Sequence, residues 1–137
     1  SVVREYIQPT YQTIFSIADL FDVSKTCTAI RYVEHGNHPC ILICHDKFGR
    51  RWFKKNKDVP DKLFPRRDMD HESGAFEVLF GQKCSAARMA VPGDTWFDWS
   101  KADRYDVWEE TFKAKQGETL TLLTWQNEDM LEQASEY

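Results

Sequence analysis

Glycine is scarce and never clustered: its six copies, at 36, 49, 74, 81, 93 and 117, stand singly, so no Gly-rich loop is present to cradle a phosphate. A Gly-x-Ser-x-Gly elbow and a calcium-binding loop are also missing, which removes the usual hydrolase and EF-hand signatures. The cysteines, at 27, 40, 44 and 84, form no Cys-x-x-Cys pair, so a zinc ribbon or knuckle has no ligands. His71-Glu72 opens like a His-Glu-x-x-His zinc helix, but the second histidine position, 75, is Ala. His71-Glu72 therefore reads as an exposed helix start, where acids suit the dipole. The histidines at 35, 38, 45 and 71 lack the i, i+4 spacing of a helical metal pair. Convergence of His35, His38 and His45 at one end of a hairpin is the arrangement left open for a metal. No apolar run approaches the ~20 residues of a membrane span and no stretch reads as a positively charged leader with an apolar core, so no export is expected; the sequence shows no repeat or low-complexity tract.

What is there describes a globular chain. Its 137 residues are 42% hydrophobic and 14% aromatic, enough for one ordinary domain with a small appendage. A net charge of -4 gives no overall electrostatic reason to bind nucleic acid or a membrane, and cytoplasmic residence is the expectation. The chain begins at Ser1 rather than Met, and Val2 to Ile7 already reads as helical, so a preceding N-terminal part is expected.

The most informative stretch is 17–34, followed by Pro39-Cys-Ile-Leu-Ile-Cys44. Ile14, Ile17, Ala18 and Phe21 fall at helical spacing, and Asp22 suits a sharp turn because Asp tolerates a left-handed backbone. Ser24 is a good N-cap for a second helix whose inward positions would be Cys27, Ile30 and Val33 or Glu34, ended by Gly36. Such a helix-turn-helix would place Lys25, Thr26 and Thr28 toward DNA base edges. The other reading is a packed helical lid, since the turn carries Asp22 rather than Gly and the late positions include Thr28 and Arg31. The apolar face is too small to stand alone and is expected to bury itself on the sheet or on a second copy of the chain.

Beyond Pro39 the period becomes two. Residues 40–54 read as a β-hairpin turning over His45–Gly49, and 56–65 as loop. Asp70 is placed to cap a short helix to Phe80, with Phe76, Leu79 and Phe80 inward. Ser85 to Val91 reads as a strand, Tyr105–Phe112 and Thr119–Trp125 as a second hairpin, and Asn127 as the cap of a closing helix to Ala134. About five strands with helices at the start, middle and end make an α+β plan with a mostly antiparallel sheet.

The helix pair with Ala18, Phe21, Val23-Ser24, Ala29, Arg31 and Glu34, the Pro-Cys strand, Trp96-Phe97 and Leu120-Thr-Leu-Leu-Thr-Trp125 together resemble the post-peptidase region of the ImmA/IrrE family of zinc metallopeptidases and regulators. The resemblance covers nearly the whole chain. It implies a helix-turn-helix-like segment over 1–36 and a GAF-like sensor domain over 37–137, the latter often holding a small molecule in a cup on one sheet face. It implies no catalytic or metal-binding residue and no cofactor in this chain, with zinc in a missing N-terminal peptidase domain. That domain would be the partner, with a protein substrate or DNA as further candidates, a homodimer as another, and no membrane. The implied role is regulation of gene expression or of a stress response.

Cys40 and Cys44, roughly 13 Å apart on one strand face, cannot share a metal or a disulfide, and the cysteines read as small buried hydrophobes. The adjacent acids Glu109-Glu110 and Glu128-Asp129 read as solvated surface. Residues 47–67 hold nine Lys or Arg against Asp58 and Asp61, +7 within a chain of -4. With Phe48, Trp52, Phe53 and Phe64 interleaved, Arg50, Arg51, Lys54 and Lys55 are candidate nucleic-acid or anion contacts of an independent binding or adaptor module. The plainer reading is a solvated rim above half-buried aromatics.

Overall fold

The computed structural model describes residues 25–114 and 117–136. The first helix of the expected pair, with Ile14, Ile17, Phe21 and the Ser24 cap, lies outside them, as does the helix expected at Val2 to Ile7. The described chain runs α1 (Lys25–His35), β1 (Cys40–Asp46), β2 (Gly49–Lys55), α2 (Gly74–Phe80), β3 (Ser85–Pro92), β4 (Asp106–Lys113), β5 (Thr119–Thr124) and α3 (Asp129–Ala134). This is an α+β fold with five strands in one sheet of order β2-β1-β5-β4-β3, every neighbouring pair antiparallel.

Both central strands are covered on two faces, which is why they read as unbroken apolar or small runs. Cys40, Leu42 and Cys44 point toward α1 with Leu120 and Leu122, where Ala29, Tyr32 and Val33 of the helix are buried. Ile41 and Ile43 point the other way with Leu123, toward Leu63, Ala75, Trp96 and Phe97. Trp52 and Phe53, adjacent on β2, accordingly pack against opposite clusters.

Asn56 joins helix to sheet. Fully buried, it donates from Nδ2 to the Val33 and Gly36 carbonyls, both at 2.9 Å, and so satisfies acceptors that the helix end leaves open. Gly36 closes α1 with its amide on the Tyr32 carbonyl at 2.8 Å.

Several local expectations are corrected. Cys27 and Glu34 are exposed and Ile30 is half-buried, because the sheet sits under the Thr28–Ala29 and Tyr32–Val33 flank of α1. Helix α2 begins at Gly74 with Ser73 as cap, its side chain accepting from the Phe76 amide at 3.2 Å. Asp70 instead closes a preceding turn, accepting from the Glu72 amide at 2.8 Å. The buried side of α2 is Gly74, Ala75 and Val78, while Phe80 is 52% exposed. Small residues let the helix approach the sheet closely: a Cβ at Gly74 would lie 3.0 Å from Glu109 Oε2 and 3.1 Å from Thr111 Oγ1. The aromatic residues run along the outer flank, His71 to Phe76 to Phe80, with ring centroids 4.8 and 4.7 Å apart. Among the cysteines, Cys40 and Cys44 are buried as expected, but Cys27 and Cys84 are exposed.

Candidate functional site

The face of the sheet under α2 carries polar residues where a scaffold would carry apolar ones. His45 on β1 stands opposite Thr119 on β5, and Glu109 and Thr111 on β4 stand opposite Leu123 and Thr121. Strand alternation puts all of these on one face, in phase with Ile41, Ile43 and Val107. His45 and Thr119 are fully buried, Glu109 is 1% exposed, and Trp96, which drops onto them from the β3–β4 connection, is 3% exposed.

The partners are uneven. Glu109 Oε2 accepts from the Gly74 amide at 2.7 Å, and Thr111 and Thr121 share a hydroxyl hydrogen bond of 2.9 Å. The His45 and Trp96 rings lie 5.6 Å apart, tilted by 53°. Both His45 ring nitrogens and Thr119 Oγ1 are buried with no hydrogen-bond partner among the described residues, and Trp96 Nε1 and Glu109 Oε1 are buried beside each other without a well-formed hydrogen bond. Buried polar atoms are ordinarily paired, so three such atoms and one poorly paired couple on one face form an exceptional cluster.

Burial sets the protonation of this cluster. It pushes the Glu109 carboxyl up to about 7; the Gly74 amide and the nearby Trp96 indole oppose this, and the Asp70 and Glu77 charges add to it. Burial also lowers His45 to about 4, helped by the Arg50 charge and opposed by Asp46. The histidine is therefore neutral near pH 7, and the carboxyl is held where a protonated acid can donate as well as accept. The cluster offers an indole donor, an imidazole, a hydroxyl and a titratable carboxyl to any polar group that reaches it.

Glu109 was expected at the surface and His45 in a turn; both are corrected here. Glu109 is in phase with Val107 and Thr111, whose inward face the sheet fixes. His45 extends the buried run of β1, and the turn is the shorter Lys47–Phe48. Glu110, Glu128 and Asp129 are not in this cluster, and the latter two are exposed. His38 precedes β1 at the end remote from His45, so the three histidines do not converge. Among the described residues no group of three His, Cys, Asp or Glu could hold a metal ion, so they do not fit a zinc site. No described helix is long and apolar enough to cross a membrane.

The residues singled out for nucleic acid are dispersed. Lys25 is the first residue of α1, Thr26 is half-buried, and Thr28 is 6% exposed, which removes its hydroxyl from any surface. Arg50 donates to the Pro65 carbonyl, and its guanidinium lies 5.4 and 5.0 Å from the Phe53 and Phe64 ring centroids. Arg51 pairs with Asp46 at 3.2 Å, and Lys55 is bound to Asp61 and, at 2.8 Å, to the Val59 carbonyl. Lys54 is exposed on the face opposite Lys55, so the strand alternation separates them. The structure thus leaves Arg50 with the loop 62–68 and sends its three neighbours elsewhere. No family model matches the chain, and neither does any curated protein.

Proposed function

We propose that this chain is the non-catalytic regulatory or sensor region of an ImmA/IrrE-type zinc metallopeptidase. In this reading residues 37–137 are a GAF-like sensor domain, and the helical segment 1–36 links it to the peptidase domain. The observation that carries the sensor reading is the buried polar cluster of His45, Trp96, Glu109 and Thr119. A purely structural sheet gains stability from apolar groups there, whereas unpaired donors and acceptors cost about 1–3 kcal/mol each. That expenditure fits a face that recognises a small polar molecule. The direct packing of α1 on β1 and β2 supports transmission of the signal toward the N-terminal side, since both sheet faces share strand β1. The role follows as cytoplasmic regulation of gene expression or stress response, with zinc and catalysis in the preceding domain.

The coding sequence upstream of Ser1 tests the family reading. A His-Glu-x-x-His helix within the preceding ~100 to 150 residues, one domain's worth, is expected, and its absence overturns the proposal. The sensor reading is tested on the full-length protein by screening small polar metabolites for thermal stabilisation. A stabilising compound should lose its effect in Glu109→Leu, while a compound that stabilises both proteins alike acts elsewhere.

A further inference from the structure

The loop between β2 and α2 folds back along the start of β2. The Arg50 amide donates to the Arg67 carbonyl at 2.9 Å, the Arg66 amide to the Trp96 carbonyl at 2.7 Å, and Pro65 bridges to Phe97. Gly49, at φ +120, lies so close that a Cβ there would be 2.8 Å from the Arg67 carbonyl oxygen. The segment bearing Phe48 and the segment bearing Phe64 are therefore laced together by backbone and held rigidly.

Two clefts open along this seam and meet at Asp68, which lines both. One, of about 520 Å³, is lined by Arg50, Lys62, Phe64, Arg66 and Arg67, with Asp98 at its edge. The other, of about 210 Å³, is lined by Lys47, Phe48, His71, Phe76 and Phe80, with the carboxylates of Asp46 and Asp68 at its edge, so it offers rings rather than positive charge. The first lies within the range of small-molecule sites, roughly 300–1,000 Å³, and the second is an annex to it. Four cations face two carboxylates in the larger cleft, so it stays positive in an acidic chain.

The aromatics decide the ligand class. Phe64 is 55% exposed and Phe48 80% exposed, although each belongs to a residue type normally buried. Each ring already carries a cation, Arg50 over Phe64 at 5.0 Å and Lys47 over Phe48 at 5.1 Å. Exposed rings alternating with cations match a strand whose bases stack and whose phosphates pair, whereas carboxylates alone would engage only the cations. We propose that the two clefts joined at Asp68 bind single-stranded nucleic acid, with Phe64 and Phe48 as stacking platforms and Arg50, Lys62, Arg66 and Arg67 along the phosphates. This site does not depend on the ImmA/IrrE reading.

Fluorescence anisotropy with a labelled oligothymidylate of about twelve nucleotides tests it, a length that falls within known single-strand site sizes. With the four cations each neutralising a phosphate, affinity falls roughly 50-fold between about 50 and 200 mM salt. Phe64→Ala should weaken binding at least about fivefold, the lower bound for one lost stacking contact, and Arg67→Glu should weaken it further. Both side chains are on the surface, and unchanged thermal midpoints would show that the variants fold. Lys101→Glu, exposed on another loop, should bind as the wild type does. Absence of binding at low salt, equal loss in Lys101→Glu, or full retention in Phe64→Ala and Phe48→Ala would overturn the site. Thymidine monophosphate binding as tightly as the oligonucleotide would also overturn it, as would a poly-glutamate peptide competing equally.

Discussion

Glu109 Oε2 accepts a hydrogen bond from the Gly74 amide at 2.7 Å, so a buried carboxyl in the middle of β4 holds the first turn of α2 onto the sheet. Substituting either residue touches both: a longer side chain at 74 meets the carboxylate, and a shorter one at 109 strands the helix amide.

Glu109 and His45 should give opposite pH slopes that nearly hide one another. Glu109 is raised from 4.5 to about 7, so the fold keeps a proton the unfolded chain has lost, and its contribution to stability falls as pH rises between those values. His45 is lowered from 6.5 to about 4, so the unfolded chain takes up a proton the fold refuses, and its contribution falls as pH drops through that window. Each slope integrates to about 3 kcal/mol. Glu109→Gln should therefore show stability rising with pH up to 6.5, and His45→Asn stability falling toward pH 7. Urea midpoints across the window, referred to the wild type, measure both, and flat difference curves would contradict the assignment.

Asn56→Ala should cost roughly 2–4 kcal/mol, because it removes the donor for two carbonyls at the end of α1 and leaves them buried. The denaturation midpoint reports this. A variant within about 0.5 kcal/mol of wild type, the scatter of an ordinary surface change, would show that α1 is not held to the sheet by this residue.

Thiol labelling should divide the cysteines two and two. Cys27 and Cys84 are exposed, whereas burial pushes the Cys40 and Cys44 thiols up to about 12, with the Glu118 charge adding at Cys44. Thiolates are the reactive form, so native protein at mildly alkaline pH should titrate two thiols rapidly, and unfolded protein all four. Mass spectrometry of the labelled sites checks which two. Rapid modification of Cys40 would mean that α1 lifts from the sheet.

Gly49→Ala should destabilise by about 1–3 kcal/mol, through a positive φ and the approach of the Arg67 carbonyl at 2.8 Å. The same change should loosen the loop 62–68, which hydrogen exchange at the Arg50 amide would register. An unaltered midpoint together with unaltered exchange would show that the seam is not as tight as described.

The sequence by itself determined the number, order and type of the described elements. The apolar run of 40–44, the strand-forming stretches 105–112 and 119–125, the turn residues between strands and the helical spacing of 25–35 are local signals, and each element follows from a few neighbouring residues. It also determined that Cys40 and Cys44 share a face, since that follows from strand period alone. Which flank of a helix is buried was decided only by packing: α1 uses Thr28–Ala29 and Tyr32–Val33 because β1 lies there, and α2 uses Gly74 and Ala75 because the sheet admits only small residues so close. The polar cluster was decided the same way. Glu109 reads as a surface acid beside Glu110, and it becomes a buried one because β3 and β5 flank its strand and α2 covers its face. His45 and Trp96 are far apart in the chain, and only the crossing of the β3–β4 connection over β1 brings their rings within 5.6 Å. Burial, unlike periodicity, is a property of what lies opposite, and no window of neighbouring residues contains it.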